Sequence, residues 1–516
     1  MHLEQIHNKI TNSYEDSFYL FGKSESYMSE LIKKYPEILK DIKGIFDDAP
    51  RNIGDFDFDG TEFQVEKIDQ LVAVDWSKNL LVITSDYYQE AYEKIASFFE
   101  MQGLNIIAPE VIYYFPNKET EIDLSYRKKY ENTPLQDIIV FRSGPHASSY
   151  VRGTDFADNS RALFEYMINN GYNEKYELIW FVKYPNEFER YAGYKNVSFI
   201  SFDYATTDDI EKRDEYYRAL CLAKWIFMTD AYGFCRNSRP DQVRVQLWHG
   251  CGFKTRTNFV PCEKRYEYNI VIGELYKRIH ADIYGLRSEQ VLITGYPKVD
   301  WLFTKPQKEK IDKMGIPKAK KYIFWLPTFR TAKTAVSELN ENTLLSQTGL
   351  PIVIDKEKLE LINNTLIEMD IAMIIKLHPF QNRDSIVCDN MSNIVLLDNE
   401  QLVDCDMQIN ELLPMADALI SDYSSVAVDY LILNKPIAFT LDDVREYEDS
   451  RGFVFDNIRE YLPGSEIFSI DDFIGYIKDI AGGIDSDCDK RNRIRDLFHQ
   501  YKDGNSCRRV LDALLI

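Results

Sequence analysis

Short apolar runs recur along the chain, each followed by a turn residue and then a longer stretch with helical spacing, the rhythm of alternating strands and helices. The run at 18–21 reads as a strand, Gly22 as a turn and 26–38 as a helix. A second strand at 43–46 ends in Asp47 and Asp48, and the run at 80–84 precedes a helix over 88–102 that leads to a further strand at 105–107. This β-α-β order predicts a parallel sheet.

The rhythm restarts at 137–141 with a strand, a helix over 160–170, and strands at 177–182, 197–200, 225–229 and 244–248. It restarts again at 322–327, with strands at 372–377, 394–397, 418–420 and 436–439. The expected fold is α/β: two Rossmann-like domains facing across a cleft, at 135–310 and 315–516, preceded by a small N-terminal Rossmann-like α/β domain at 1–125. A length of 516 residues agrees, because domains of ~100–200 residues imply about three.

Composition narrows the function classes. With 45% hydrophobic and 28% charged residues the chain is globular. Apolar runs such as 371–375 fall short of the ~20 residues that cross a bilayer, and 1–10 lacks the apolar core of a signal peptide, so a cytoplasmic location is expected. Eight cysteines without close paired spacing fit reduced thiols, and no metal is expected. A net charge of -22 argues against a nucleic-acid partner, so an anionic substrate needs local basic clusters. Lys254, Arg256, Lys264 and Arg265 form one; Lys305, Lys308, Lys310, Lys313, Lys318, Lys320 and Lys321 form another, which reads foremost as a solvated linker.

The Gly22 turn resembles a dinucleotide-binding fingerprint but has one glycine where three are wanted, and Glu25 would repel phosphate. The N-terminal domain therefore reads as a non-binding accessory or docking domain, with a nucleotide site using Asp47 as the alternative.

In open α/β sheets ligands bind beyond the carboxyl ends of the strands, so polar residues directly after apolar runs carry most weight. Four such places stand out: His249 and Gly250, with Lys254 just beyond; Lys376 followed by His378; Ser421, Asp422, Ser424 and Ser425 before a helix at 426–433; and Arg330 after Pro327. Two strand-end histidines, a guanidinium and a hydroxyl-rich helix start would line one cleft. His146 also follows a strand.

The same stretches resemble the CDP-glycerol glycerophosphotransferases that build teichoic acids and related capsule polymers. The ordered matches are Ala157-Asp158-Asn159-Ser160-Arg161-Ala162-Leu163, Gln246-Leu247-Trp248-His249-Gly250, Thr294-Gly295-Tyr296-Pro297-Lys298-Val299-Asp300, Pro327-Thr328-Phe329-Arg330, Lys376-Leu377-His378-Pro379, Ser421-Asp422-Tyr423-Ser424-Ser425 and Arg451-Gly452-Phe453-Val454-Phe455-Asp456. The resemblance implies a GT-B-type fold, acceptor side first and CDP-donor side second. It also implies His249 as base and His378 on the CDP pyrophosphate, with Arg330, Lys376, Ser421, Asp422, Ser424 and Ser425 around the donor and Gly250 and Lys254 on the acceptor side.

It implies CDP-glycerol or CDP-ribitol as substrate, no cofactor or metal, a surface-glycan or lipid-linked acceptor, and peripheral contact with the inner membrane face; oligomeric state stays open. The family usually has Thr-Pro where Cys251-Gly252 stand, a departure that bears on the acceptor side and raises a thiol nucleophile as a minor reading. Two other readings compete: a GT-B glycosyltransferase using a nucleotide sugar, and a non-catalytic scaffold subunit.

Overall fold

The computed structural model describes residues 18–34, 38–47, 52–76, 79–84, 91–92, 94–96, 98–99, 110–113, 118–144, 151–230, 238–254, 266–327, 348, 350–353, 355–376, 391–450 and 452–516. The chain forms two compact units, one of residues 1–133, 204–221 and 236–239, the other of 134–203, 222–235 and 240–516.

The smaller unit holds a six-stranded sheet of β1 (Phe18–Phe21), β2 (Ile42–Asp47), β3 (Gly54–Phe58), β4 (Thr61–Lys67), β5 (Leu80–Ile83) and β6 (Glu110–Tyr113), in the order β3-β4-β2-β1-β5-β6. It departs from the expected parallel sheet at one edge, where β3 pairs antiparallel with β4. The cause is local: Asp59 and Gly60 both take positive φ, 51° and 76°, and form a tight hairpin turn. The helix expected over 26–38 is described over Glu25–Lys34, and residues 35–37 lie outside the described residues. The strand expected at 105–107 lies outside the described residues, and the sheet instead ends with β6.

Asp47 ends β2 and is almost fully buried. Its carboxylate accepts from the Lys23 backbone N–H at 2.7 Å and from Asn52 Nδ2 at 3.0 Å. It fastens the turn after β1, a structural use of the acid named in the nucleotide alternative.

The larger unit holds two sheets. The first contains β7 (Gln136–Gly144), β8 (Glu177–Val182), β9 (Val197–Ser201), β10 (Ala223–Asp230), β11 (Val243–Gln246), β12 (Tyr268–Val271) and β13 (Val291–Ile293) in the order β13-β12-β11-β10-β7-β8-β9. The second contains β14 (Lys321–Trp325), β15 (Ile371–Lys376), β16 (Ile394–Leu397), β17 (Ala418–Ser421), β18 (Ile437–Thr440) and β19 (Ser465–Ile467) in the order β16-β15-β14-β17-β18-β19. Every described pairing in both is parallel, so both are doubly wound sheets of the Rossmann type. β12, β13 and β19 were absent from the sequence reading, being too short to show a period.

Strand order reverses between β7 and β10 in the first sheet and between β14 and β17 in the second, which opens a crevice at each reversal. One apolar core joins the two sheets, from Phe141, Trp180 and Phe227 to Phe324, Leu419 and Phe439. The C-terminal helix Ser506–Ala513 returns to the first sheet's layer, where the Asp300 carboxylate accepts from the backbone N–H groups of Ser506 and Cys507, both at 2.8 Å.

Candidate active site

β10 and β11 lie side by side, so their carboxyl ends deliver Asp230 and the 247–250 loop to one place. The Gln246 side chain ties the two together. Its Oε1 accepts from the backbone N–H of Asp230 at 3.2 Å and of Trp248 at 3.0 Å, while its Nε2 donates to the Asp230 carbonyl at 2.9 Å. Asn159 Nδ2 donates to the carbonyls of Leu247 and Trp248. Thus the loop is held from two sides before any ligand arrives.

Under these ties Asp158, Asp230 and Trp248, none of them glycine, adopt left-handed φ of 59°, 64° and 55°. Such strain persists only where the surroundings over-determine it, and it gathers at functional sites. The result is a His249 ring lying on Trp248, centroids 4.5 Å apart, with Nδ1 3.7 Å from Asp230 Oδ2 and the side chain 43% exposed. At 3.7 Å the two atoms stand beyond hydrogen-bond distance, and His249 Nδ1 has no hydrogen-bond partner among the described residues, so the contact with Trp248 is what positions the ring.

On the second sheet, β14 and β17 flank the strand reversal. Ser421 does not face an open surface as expected: it is fully buried and its hydroxyl donates to the Leu326 carbonyl at 3.1 Å, locking the ends of β14 and β17. Asp422 is fully buried as well. Both directions follow from their place at the end of a strand covered on both faces. Ser424 and Ser425, one turn further on, are half-buried at the start of the short helix Val426–Tyr430. Lys376 ends β15 half-buried, and burial pushes its ammonium down to about 8 against the opposing pull of Asp398. His378 and Arg330 lie outside the described residues, as does His146.

The two halves meet at the His249 loop. A Cβ built on Gly250, whose φ is 149°, would lie 2.6 Å from Ser425 Oγ, and one on Gly252 would lie 3.4 Å from Ser425 Cβ. Phe253 carbonyl accepts from Val454 N–H at 2.9 Å, and Lys254 pairs as an antiparallel bridge with Phe453 while its ammonium lies 5.7 Å from the Tyr447 ring centre. Lys254, expected on the acceptor side, thus packs against the second half.

Beneath the loop, Lys298 is buried between two carboxylates, Asp158 at 3.2 Å and Asp429 at 3.3 Å, and donates to the His249 carbonyl at 2.5 Å. Burial lowers its affinity for a proton, but the two acids outweigh that and hold its ammonium above the usual lysine value. Cys251 is also buried, with Sγ 3.1 Å from the Tyr296 hydroxyl, and burial pushes its thiol up to about 12. A thiol nucleophile needs exposure and a depressed pKa, and Cys251 has neither. Among the described residues, no group of three or more His, Cys, Asp or Glu is arranged to hold a metal ion.

Sequence reasoning passed over Asp230, Asp158, Lys298 and Asp429. Asp230 follows the apolar run of β10 and so obeys the same strand-end rule that singled out His249. Asp158 and Lys298 stood inside quoted motifs without a role, and nothing local marks Asp429 as their partner.

A family model described as CDP-Glycerol:Poly(glycerophosphate) glycerophosphotransferase matches residues 136–516, the whole of the two-sheet region. The chain belongs to this family. Curated relatives include the teichoic acid ribitol-phosphate polymerase TarK of Staphylococcus aureus, 28% identical over 331 residues that cover 60% of this chain and 60% of TarK. The teichoic acid glycerol-phosphate primase of Bacillus subtilis is 27% identical over 310 residues, 56% of this chain and 73% of the primase. Against the two Staphylococcus aureus ribitol-phosphate polymerases, the matched region spans 60% and 51% of the relative's length. Among solved structures, the wall teichoic acid polymerase TagF superposes with a TM-score of 0.59 at 18% identity, covering 83% of this chain and 97% of that one. The likeness establishes the fold, a GT-B-like pair of Rossmann-like domains in this glycerophosphotransferase family member.

Proposed function

We propose that the chain transfers glycerol phosphate, or a related polyol phosphate such as ribitol phosphate, from its CDP-activated form to a surface-glycan or teichoic-acid-like acceptor, releasing CMP. One observation carries the reading: the His249–Asp230 pair is packed through Gly250 directly onto the Ser424–Ser425 turn of the other sheet. A base and a hydroxyl-rich anion site thereby share one seam. Family membership and the printed activities of the relatives support the choice of donor.

In this mechanism the acceptor hydroxyl attacks the β-phosphorus of the CDP-polyol and His249 takes its proton. Asp230, 3.7 Å from Nδ1, supplies the negative charge that stabilises the imidazolium as it forms. The bond from the β-phosphorus to the bridging oxygen breaks, and charge collects on the departing CMP phosphate. His378, Arg330, Lys376, Ser424 and Ser425 are the groups assigned to meet that charge, in place of a divalent ion. Residues 135–310 then serve the acceptor and 315–516 the donor.

A lipid-linked acceptor brings the enzyme to the inner membrane face. No helix among the described residues is long and apolar enough to cross a membrane, and the contact proposed is peripheral, through basic side chains. Of the basic run, Lys310 pairs with Asp406 and Lys321 donates to the Ile480 carbonyl, and the exposed Lys305, Lys308, Lys313 and Lys320 are the ones proposed to meet a lipid surface.

The test is CMP release from CDP-glycerol and CDP-ribitol with EDTA present, in wild type, His249→Ala and His378→Ala, supplied with membrane or glycan extract. Release that survives EDTA and collapses in both variants is expected. Release from neither donor, with turnover of UDP-sugars, would replace this reading with a glycosyltransferase.

A further inference from the structure

The seam between the two sheets does not end at His249. Asp158, beside Lys298, donates its backbone N–H to Gln408 Oε1 at 3.2 Å, and Gln408 lines a separate cavity of about 320 Å³. That volume lies at the lower end of the range of ~300–1,000 Å³ typical of small-molecule sites. Arg152 follows β7 and Tyr184, Glu187 and Arg190 follow β8, so the cavity sits at carboxyl strand ends, on the ligand side of the sheet. Its far wall is Val403, Asp406 and Gln408 from the second half.

The lining chemistry selects a ligand class. Three arginines line the cavity, Arg152, Arg161 and Arg190, together with the acids Asp155, Glu187 and Asp406. Arg161 and Arg190 both bind Asp406, at 2.7 and 2.8 Å, and Arg152 binds Asp404 at 2.8 Å. A phosphate would have to displace a carboxylate that is already well placed. A hydroxyl group need not, because it donates to a carboxylate and accepts from a guanidinium at once. Tyr184, 52% exposed at the rim, adds an aromatic face for the C–H side of such a ligand.

We propose that this cavity is a subsite for a neutral, hydroxyl-rich unit of the acceptor, a sugar or polyol residue bound away from the hydroxyl that reacts. Gly153 shapes it: a Cβ there would come 2.1 Å from Val403 Cγ2, so only glycine lets the loop after β7 close against the second half. The assignment to an acceptor rests on the transferase reading, whereas the binding itself does not.

The experiment is saturation-transfer NMR on the full chain with cellobiose, lactose and ribitol as probes and inorganic phosphate as competitor. Transfer to a hydroxylated probe is expected, reduced roughly three- to tenfold in Tyr184→Ala, the range set by loss of one aromatic contact, and indifferent to phosphate. No transfer to any of the three probes would overturn the proposal. So would transfer unchanged in both Tyr184→Ala and Glu187→Ala, or displacement by phosphate, which would mark an anion site. In turnover, Tyr184→Ala should raise the acceptor KM by a similar factor and leave kcat and the donor KM unchanged. If no CDP-polyol supports turnover but saturation transfer behaves as stated, the transferase reading fails alone.

Discussion

Gly250 lies against Ser425 so closely that a Cβ on the glycine would sit 2.6 Å from the serine hydroxyl and 2.8 Å from its Cβ. Two penalties therefore attend Gly250→Ala: a steric one and the cost of a φ of 149°, together about 1–3 kcal/mol. CMP release should fall with it. In a Ser425→Gly background the steric part disappears and the backbone part stays, so urea denaturation of the four variants should show a favourable coupling. Additivity would mean that the contact is not felt.

Asp230 is expected to act through His249. His249→Ala should cost on the order of 10² to 10⁴ in kcat, the usual worth of a general base. Asp230→Asn should lower kcat by less and leave the donor KM unchanged, as expected of a carboxylate that acts only on the imidazolium of His249. A raised donor KM with normal kcat would assign Asp230 to binding instead.

Lys298 neutralises Asp429, which is buried, and Asp158, which is partly exposed. Lys298→Met leaves the buried Asp429 carboxylate unpaired and should destabilise the chain by about 3–5 kcal/mol, read from the urea midpoint. Adding Asp429→Asn should recover part of the loss. No recovery would show that the lysine acts by packing alone.

His499 supplies the clearest pH effect. Its Nε2 lies 2.8 Å from the Val428 carbonyl, a bond that the neutral imidazole donates, and burial pushes its pKa down to about 4 from 6.5. The unfolded chain then binds a proton that the folded chain refuses between these values. Stability should fall as pH drops from about 6.5 to 4, by up to roughly 3 kcal/mol from this group. Relative to wild type, His499→Gln should flatten that part of the stability profile. An unchanged slope would place the titration elsewhere.

Cys251 is expected to be chemically silent. With its thiol pushed up to about 12, it should resist maleimide in the native state, and Cys251→Ala should keep its CMP release. Loss of activity in a well-folded Cys251→Ala would reopen a direct role.

How much was legible in the sequence varies with the range of the interaction. Strands such as β8 and β16 were placed residue for residue, because a buried parallel strand is a continuous apolar run. The hairpin of β3 and β4 was missed although Asp59-Gly60 is a strong turn signal, since its flanking runs are rich in acids. The strand-end rule found His249 and overlooked Asp230 one strand away.

What the sequence by itself determined is the alternation of elements, the ordered motifs and hence the family, because these rest on local periodicity and residue order. The tertiary structure alone decided that Ser421 is a lock and Ser425 a contact, that Lys254 turns to the second half, and that Lys298 answers two acids. Each of these depends on residues more than a hundred positions apart in some cases, or on which side of a strand end a side chain leaves. Folding sets those distances by packing two sheets on one core, and no spacing along the chain encodes them.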